Sequence, residues 1–241
     1  MRVKTLIEKA LRPFPAVYRL GSRVYHTTHR SFRSSSAEAP DAIRRALTHV
    51  RDSDGTDPGD YYEFGLFRGF TFLTAYQEAA SRSLAEMRFY GFDSFEGLPE
   101  VEESEIGEGQ FFKGQFACSR DAVEANLRKH GMDFSRATLV EGYYENTLTE
   151  DLRSQHSFRR AACVMMDCDL YSSTRDALRW LTPYLEDKTV VIFDDWNSYG
   201  GDPEQGQPKA WQKWLAANPG MESRSLFTYR NHGEVFELVA R

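Results

Sequence analysis

Short apolar runs alternate with longer amphipathic stretches along most of this sequence, and that alternation limits the possible folds more than any other feature. Five of the runs have the length of strands: YYEFG (61–65), RFYGF (88–92), ATLVE (137–141), AACVMM (161–166) and TVVIF (189–193). Strands that alternate with helices predict a doubly wound, mostly parallel sheet with right-handed crossovers. We therefore expect an α/β fold.

The stretches between the runs supply the helices of this fold. Helices are predicted from Phe70 to Ser81, after Ser119 as N-cap, from Ser173 to Tyr184 and from Lys209 to Ala217. Near the C-terminus, two strand-like runs flank a turn at Asn231–Gly233. That pattern predicts an antiparallel hairpin at the end of the sheet.

The N-terminal segment differs in charge from the rest of the chain. Residues 1–35 contain eight Arg or Lys and one Glu, a local charge of +7, although the whole chain carries −6. Apolar residues between Val3 and Phe14 have the spacing of an amphipathic helix, and Pro13 and Pro15 end it. We expect a helical extension or lid over residues 1–57 and an α/β domain over residues 58–241.

This basic helix could pack on the domain itself, pack on a second subunit in a homo-oligomer, or lie on an anionic membrane surface. Packing is favoured over membrane contact. The negative net charge argues against a general nucleic-acid binder. No apolar run approaches the ~20 residues that span a bilayer, none has the form of a signal peptide, and three cysteines make no disulfide framework. These features predict a cytoplasmic protein.

Carboxylates follow two of the predicted strands directly. AACVMM is followed by Asp167 and Asp169, and TVVIF is followed by Asp194 and Asp195. If these strands are neighbours, four carboxylates converge, and two unit charges ~4 Å apart repel by about 4 kcal/mol at an effective dielectric of ~20. A hard divalent cation such as Mg²⁺, Mn²⁺ or Ca²⁺ relieves that repulsion. The alternative is a set of solvated carboxylates that cap helices.

The ends of the first two strands carry features of a nucleoside site. EFGLFRG contains Glu63, Gly65 and Gly69, where glycines permit a tight turn and a close approach of the helix to a ligand. Asp93, at the end of the second strand, can accept hydrogen bonds from ribose hydroxyls, or it can cap a loop. The acidic, then aromatic, stretch 96–116 is expected to be a lid over the strand ends or a solvated loop.

Taken together, EFGLFRG, YGFDSFEGLP, LVEGYYENTL, DCDLYSST and IFDDW resemble the macrocin O-methyltransferase family in order and spacing, over about residues 60 to 200. The resemblance implies a class I methyltransferase fold, which is a Rossmann-like, seven-stranded sheet with a C-terminal antiparallel hairpin. It also implies an enzyme that uses S-adenosylmethionine and a divalent metal, Mg²⁺ or Mn²⁺, to methylate a hydroxyl of a sugar or similar natural-product acceptor.

The resemblance further implies roles for individual residues. The implied donor-binding residues are Glu63, Gly65 and Gly69 at the methionine part, Asp93 at the ribose, Ser94 and Phe95 at the adenosine, and Glu141, Gly142 and Tyr143 after the third strand. The implied metal ligands are Asp167, Asp194 and Asp195, with Asp169 as general base beside the catalytic Asp167. Trp196 stands where the family usually has Tyr, which suggests a different acceptor pocket.

Two other functions are compatible with part of the sequence. Asp167-Cys168-Asp169 also fits the D-x-D motif of metal-dependent glycosyltransferases, although that function uses neither the glycine turn after the first strand nor Asp194 and Asp195. A non-catalytic relative that binds the cofactor is the third possibility. Four intact aspartates count against it, because a protein without the chemistry has little reason to keep carboxylates that repel one another.

Overall fold

The computed structural model describes residues 38–54, 59–106 and 111–241, together with Val17. The predicted basic helix between Val3 and Phe14 lies outside these residues. Among the described residues, no helix has the length and apolarity needed to cross a membrane.

The predicted strands are present, and so are the predicted helices that fall on the described residues, together with two short helices that the sequence pattern does not predict. The strands are β1 (Asp60–Phe64), β2 (Phe89–Asp93), β3 (Ala137–Glu141), β4 (Ala161–Met166), β5 (Val190–Phe193), β6 (Met221–Tyr229) and β7 (Gly233–Ala240). The α-helices are α1 (Glu38–Asp54), α2 (Phe70–Ser81), α3 (Arg120–Lys129), α4 (Tyr144–Thr147), α5 (Glu150–Gln155), α6 (Tyr171–Leu181) and α7 (Gly206–Ala217), and 3₁₀ turns cover Glu103–Glu105 and Thr182–Tyr184. The helices α4 and α5 are too short to show a periodic pattern.

Within the described chain the strands form one seven-stranded sheet in the order β3-β2-β1-β4-β5-β7-β6. The first five strands in this order run parallel, and β7 is antiparallel to both of its neighbours. The predicted fold class, the C-terminal hairpin and the pairing of β4 with β5 are therefore confirmed. The hairpin does not simply extend the sheet in chain order, because β7 rather than β6 pairs with β5.

Helices bury both faces of the sheet, which is why the strand runs are almost continuously apolar. Tyr61 of β1 packs in the core cluster formed with α1, α2 and α3. Its neighbour Tyr62 points to the other face and packs in the cluster formed with α6 and α7. The two clusters hold the parallel strand ends in a fixed frame, on which the loops that carry the site are built.

Helix α1 belongs to the first of these clusters. Its buried residues recur every three or four positions and are Ala39, Ala42, Ile43, Ala46, Leu47 and Val50. The expected division between residues 57 and 58 therefore falls between a core helix and the strand that follows it, and the division stays a prediction.

Asp60 anchors the amino end of β1, at the edge of the sheet opposite to the loops described below. Its side chain is fully buried and accepts hydrogen bonds from Arg159 Nη2 at 2.6 Å and from Arg88 Nη2 at 2.8 Å. The backbone N–H of Arg88 also donates to it, at 3.0 Å. One carboxylate thus joins β1 to the segments that precede β2 and β4.

We predict that Asp60→Asn lowers the free energy of unfolding by about 3 kcal/mol, because it removes a fully buried carboxylate that forms ion pairs with both Arg88 and Arg159. Urea denaturation monitored by circular dichroism measures the change. The control is Asp41→Asn, which removes an exposed i,i+3 pair with Arg44 and should cost about 0.5 kcal/mol or less. Equal unfolding midpoints for the two variants would contradict the role of Asp60.

Candidate active site

The parallel register explains why acidic side chains from different strands meet. Phe64, Met166 and Phe193, the last residues of β1, β4 and β5, are aligned across the sheet. The ladder continues for one residue beyond the strands, since Asp167 N–H donates to Phe64 O at 2.8 Å and Asp194 N–H donates to Met166 O at 3.0 Å. Asp167 and Asp194 therefore occupy equivalent positions on adjacent strands and lie side by side.

Asp195 joins this pair to form an acidic triad, defined as Asp167, Asp194 and Asp195. Oxygen atoms of the three carboxylates lie within 4.8 Å of one another, and Asp194 and Asp195 are 7% and 6% exposed. Burial, together with the neighbouring carboxylates, raises the pKa of Asp167 well above its usual value and also raises the pKa of Asp194. A buried set of hard oxygen donors at this separation fits a divalent cation such as Mg²⁺.

Asp169 lies beside the triad but outside it. It is the central residue of a γ-turn closed by the hydrogen bond from Leu170 N–H to Cys168 O, 2.6 Å, and its φ is 60°. The Asp169 N–H donates to Asp195 Oδ2 at 3.1 Å, which ties the turn to the triad. Burial and then Asp195 raise the pKa of the Asp169 carboxyl. This carboxylate lines the same cleft as the triad without sharing its centre.

Several residues that were not predicted from the sequence hold the triad in place, and the main ones are Tyr229, Arg230 and Gln207. Tyr229 Oη donates to Asp194 Oδ1 at 2.8 Å, and Arg230 Nη2 lies 3.3 Å from Asp194 Oδ2. Gln207 is fully buried: its Oε1 accepts from Asp195 N–H at 3.0 Å, and its Nε2 donates to Met166 O at 3.1 Å. The predicted hairpin was the available signal for the first two, because pairing β7 with β5 puts the hairpin turn beside Asp194. Nothing in the sequence pattern marks Gln207.

A cleft of about 590 Å³ opens between the triad and the ends of β1, β2 and β3. At Gly65, φ is 91° and an added Cβ would lie 1.7 Å from Asp167 O, so only glycine fits between the ends of β1 and β4. Asp93 accepts backbone hydrogen bonds from Leu66 at 2.6 Å, Phe67 at 3.0 Å and Phe95 at 2.6 Å. About one of its roughly four acceptor positions remains for a ligand hydroxyl.

The residues predicted to bind the donor fall into two groups. Those that line the cleft are Gly65, Asp93, Ser94, Gly142 and Tyr143. The other four lie behind it or beside it: Glu63 is buried beneath the loop, Gly69 abuts Val123 and Leu127 of α3, Phe95 packs in the core, and the exposed Glu141 pairs with Arg120 at 3.4 Å. The roles of all nine stay predictions.

Trp196 is partly buried, packs against the core cluster formed with α6 and α7, and does not line the cleft. Its ring centroid is 5.2 Å from that of Phe193 and 4.8 Å from that of Phe236. The suggestion that Trp196 changes the acceptor pocket stays a prediction, and any such effect would act through Phe193 and Phe236 rather than through the cleft wall.

Part of the stretch 96–116 folds against the loops that follow β4 and β5. Glu105 is buried and accepts a hydrogen bond from Ser172 N–H at 2.7 Å, and Tyr199 Oη donates to Glu105 O at 2.8 Å. Leu98 and Phe111 pack with Leu170 in a small apolar cluster. These contacts fix the loop next to Asp169, while its function as a lid stays a prediction.

Comparison with known proteins matches the chain to one family. Residues 39–214 fit the sequence model of the family described as Macrocin-O-methyltransferase (TylF). A Streptomyces olivaceus protein, 8-demethyl-8-(2,3-dimethoxy-alpha-L-rhamnosyl)-tetracenomycin-C 4'-O-methyltransferase, is 30% identical over 60% of this chain and 55% of its own length. Demethyldecarbamoylnovobiocin O-methyltransferase from Streptomyces niveus is 28% identical over 61% of this chain and 56% of its own. The matches thus span little more than half of each relative.

Solved structures share the fold. The O-methyltransferase NovP is 23% identical with a TM-score of 0.68 over 84% of this chain and 79% of its own. The calicheamicin methyltransferase CalS11 is 26% identical with a TM-score of 0.65 over 82% and 77%. An O-methyltransferase from Bacillus cereus, solved in complex with SAH, is 14% identical with a TM-score of 0.56 over 99% and 97%.

Glu63 is a carboxylate held in a fully buried position one layer below the cleft. Its two oxygens accept hydrogen bonds from Tyr61 Oη at 2.6 Å and Thr71 Oγ1 at 2.7 Å. Burial outweighs these hydrogen bonds and raises the pKa of Glu63 to about 8. As the pH rises from about 4.5 to 8, the unfolded chain ionises this group before the folded chain does, so its contribution to stability falls.

The free energy of unfolding of the wild type should fall between pH 5 and pH 8. We predict that this fall is smaller by about 2–4 kcal/mol in Glu63→Gln. Urea denaturation at several pH values measures the slope. Glu141→Gln is the matched control, because it makes the same chemical change at an exposed side chain that pairs with Arg120 at the surface, away from the core. A Glu63→Gln profile parallel to that of the wild type would rule out the buried neutral acid.

Proposed function

This chain belongs to the macrocin O-methyltransferase family, and from that membership we propose that it transfers the methyl group of S-adenosylmethionine to a hydroxyl of a sugar or sugar-bearing natural product, with the help of a divalent cation. The observation that carries the proposal is a single cleft in which a glycine turn and Asp93 adjoin three clustered carboxylates and a fourth, separate one. The rhamnosyl and novobiocin relatives support an acceptor of the sugar-bearing class.

The donor would lie across the ends of β1, β2 and β3. Gly65 allows the backbone to come close, Asp93 would accept a hydrogen bond from a ribose hydroxyl, and Gly142 and Tyr143 line the far wall. The fold neighbour solved with SAH, the demethylated donor, supports this choice of cofactor. When bound, the donor supplies an electrophilic sulfonium methyl group, so the protein has chiefly to orient and deprotonate the acceptor.

The acidic triad would hold the cation, Mg²⁺ or Mn²⁺, through one oxygen from each of Asp167, Asp194 and Asp195. A bound cation lowers the pKa of a hydroxyl that coordinates it, as it does for water. Tyr229 holds the Asp194 carboxylate and Gln207 holds the backbone of Asp195, so the movement of these two residues would be restricted when the acceptor enters.

Asp169 would be the general base. Its carboxylate stands outside the triad and lines the cleft, so an oxygen of Asp169 is available to take the proton of the acceptor hydroxyl. Burial and the neighbouring Asp195 both raise the pKa of this carboxyl, which makes it a stronger base once ionised. The γ-turn fixes the direction in which the side chain points.

The glycosyltransferase alternative has less support from the geometry. In a D-x-D site the two aspartates act together on one ion, whereas here Asp167 clusters with Asp194 and Asp195, and Asp169 lies outside that cluster. We therefore keep methyl transfer as the proposed function.

We predict that S-adenosylhomocysteine binds the chain and that UDP with Mg²⁺ does not bind measurably, because the cleft joins the glycine turn and Asp93 to a surface rich in carboxylates. Isothermal titration calorimetry with both ligands tests this. A transfer assay with methyl-labelled donor and a panel of hydroxylated glycosides should then give labelled product. Tight UDP binding without S-adenosylhomocysteine binding would favour glycosyl transfer.

We predict that Asp194→Ala abolishes methyl transfer, as does EDTA, while S-adenosylhomocysteine affinity stays within about threefold of the wild type, because the triad lies outside the donor half of the cleft. Asp169→Asn should lower kcat by about 10²–10⁴ and still bind metal. Steady-state kinetics and calorimetry separate the two effects, with the exposed Asp133→Asn as control. Full turnover in EDTA would contradict the requirement for a metal. An unchanged kcat in Asp169→Asn would contradict the role of Asp169 as general base.

A further inference from the structure

The tip of the hairpin between β6 and β7, defined as residues 229–232, contacts the acidic triad directly. Both oxygens of Asp194 have a partner there: Tyr229 Oη at 2.8 Å from Oδ1, and Arg230 Nη2 at 3.3 Å from Oδ2. The Arg230 side chain is 22% exposed and also lines the cleft. One carboxylate that would bind a cation is thus paired with a cationic side chain of the protein itself.

The backbone of the hairpin tip holds Arg230 in this place. His232 N–H donates to Tyr229 O at 3.0 Å, and Arg230 and Asn231 have φ of 57° and 52°, as in a type I′ turn. Asn or Gly usually fills such positions, and a long side chain there persists only where its surroundings hold it.

The tip is also fixed from the other side by the loop that follows β5. Asn197 N–H donates to His232 O at 2.9 Å, and Asn197 Nδ2 donates to Asn231 O at 3.3 Å. The turn and its anchor therefore direct the guanidinium of Arg230 towards Asp194 and restrict its retreat into solvent.

We propose that Arg230 sets the affinity of the acidic triad for its divalent cation, by neutralising Asp194 and repelling the ion that the triad binds. This inference rests on the metal site of the proposed function. A guanidinium and a divalent ion that share one carboxylate repel each other, and the repulsion is large because Asp194 is buried.

The change in cation affinity on removal of Arg230 separates this proposal from a purely structural role. If Arg230 only holds Asp194 in position, its removal weakens metal binding. If Arg230 competes with the ion, its removal strengthens metal binding, even though one contact is lost. The sign of the change in affinity therefore distinguishes competition from positioning, without any measurement of activity.

The experiment compares Mn²⁺ affinity among variants of the full chain, measured by electron paramagnetic resonance of free Mn²⁺ and repeated with Mg²⁺ by calorimetry. Arg230→Asn removes the charge and keeps a residue that tolerates a left-handed backbone, so the turn is preserved. We expect it to bind Mn²⁺ about tenfold more tightly than the wild type. Arg230→Lys keeps the charge and should stay within about threefold.

Two further variants control for the total charge of the cleft and for the folding of the hairpin tip. Arg175→Asn removes a cleft-lining arginine that pairs with Asp176 at 2.8 Å instead of with the triad, and should leave Mn²⁺ affinity within about threefold. Arg230→Gly relieves the left-handed backbone entirely and should reproduce the tighter binding of Arg230→Asn, which covers the case in which the Asn variant folds poorly.

Unchanged or weaker Mn²⁺ binding in folded Arg230→Asn and Arg230→Gly would overturn the inference. A gain of similar size in Arg175→Asn would also overturn it, because the total charge of the cleft would then account for the effect. A wild-type chain that binds Mn²⁺ no better than Asp194→Ala does would instead overturn the metal site of the proposed function, which is a distinct result.

Discussion

Repulsion among carboxylates at the ends of β4 and β5 is the physical constraint on which the rest of this site depends. Parallel pairing continues for one residue past the strands and sets Asp167 and Asp194 side by side. Asp195 then completes a triad whose oxygens lie within 4.8 Å of one another, out of contact with most of the solvent. Such an arrangement is unfavourable unless protons, cations or hydrogen-bond donors compensate it.

The surroundings of the triad supply that compensation in an ordered way. Tyr229 and Arg230 satisfy the Asp194 carboxylate from the hairpin, and the Asp169 N–H donates to the Asp195 carboxylate. Gln207, at the start of α7, fixes the backbone of Asp195. Elements far apart in the chain thus meet at one carboxylate pair. The site is consequently a property of the whole C-terminal half of the sheet, because removing the hairpin would remove two of the groups that balance Asp194.

Backbone conformations that cost energy are concentrated at the same edge of the sheet. Phe67, Phe95, Asp169 and Arg230 are non-glycine residues with left-handed φ between 48° and 60°, and each lies in a loop that follows a parallel strand or in the hairpin beside β5. Three of their backbone N–H groups donate to Asp93 or Asp195. Strained backbone of this kind persists where hydrogen bonds hold the loop in one conformation. These hydrogen bonds fix the loops on both sides of the cleft, beside Asp93 and beside the acidic triad.

The sequence by itself determined the strand ends and therefore the acidic edge. Apolar runs of strand length locate β1 to β5, and carboxylates that directly follow β4 and β5 must meet once those strands pair in parallel. The tertiary structure decided which carboxylates share a centre: a γ-turn at Asp169 directs that side chain out of the triad, which no spacing rule reveals.

Only the tertiary structure also identified Tyr229, Arg230 and Gln207, and it moved Phe95 and Glu141 away from the cleft surface. The physical reason is that strand pairing follows local patterns of apolar residues, so the sequence reports it directly. The direction of a side chain in a loop depends instead on left-handed backbone angles and on contacts across tens of residues, such as the insertion of β7 between β5 and β6.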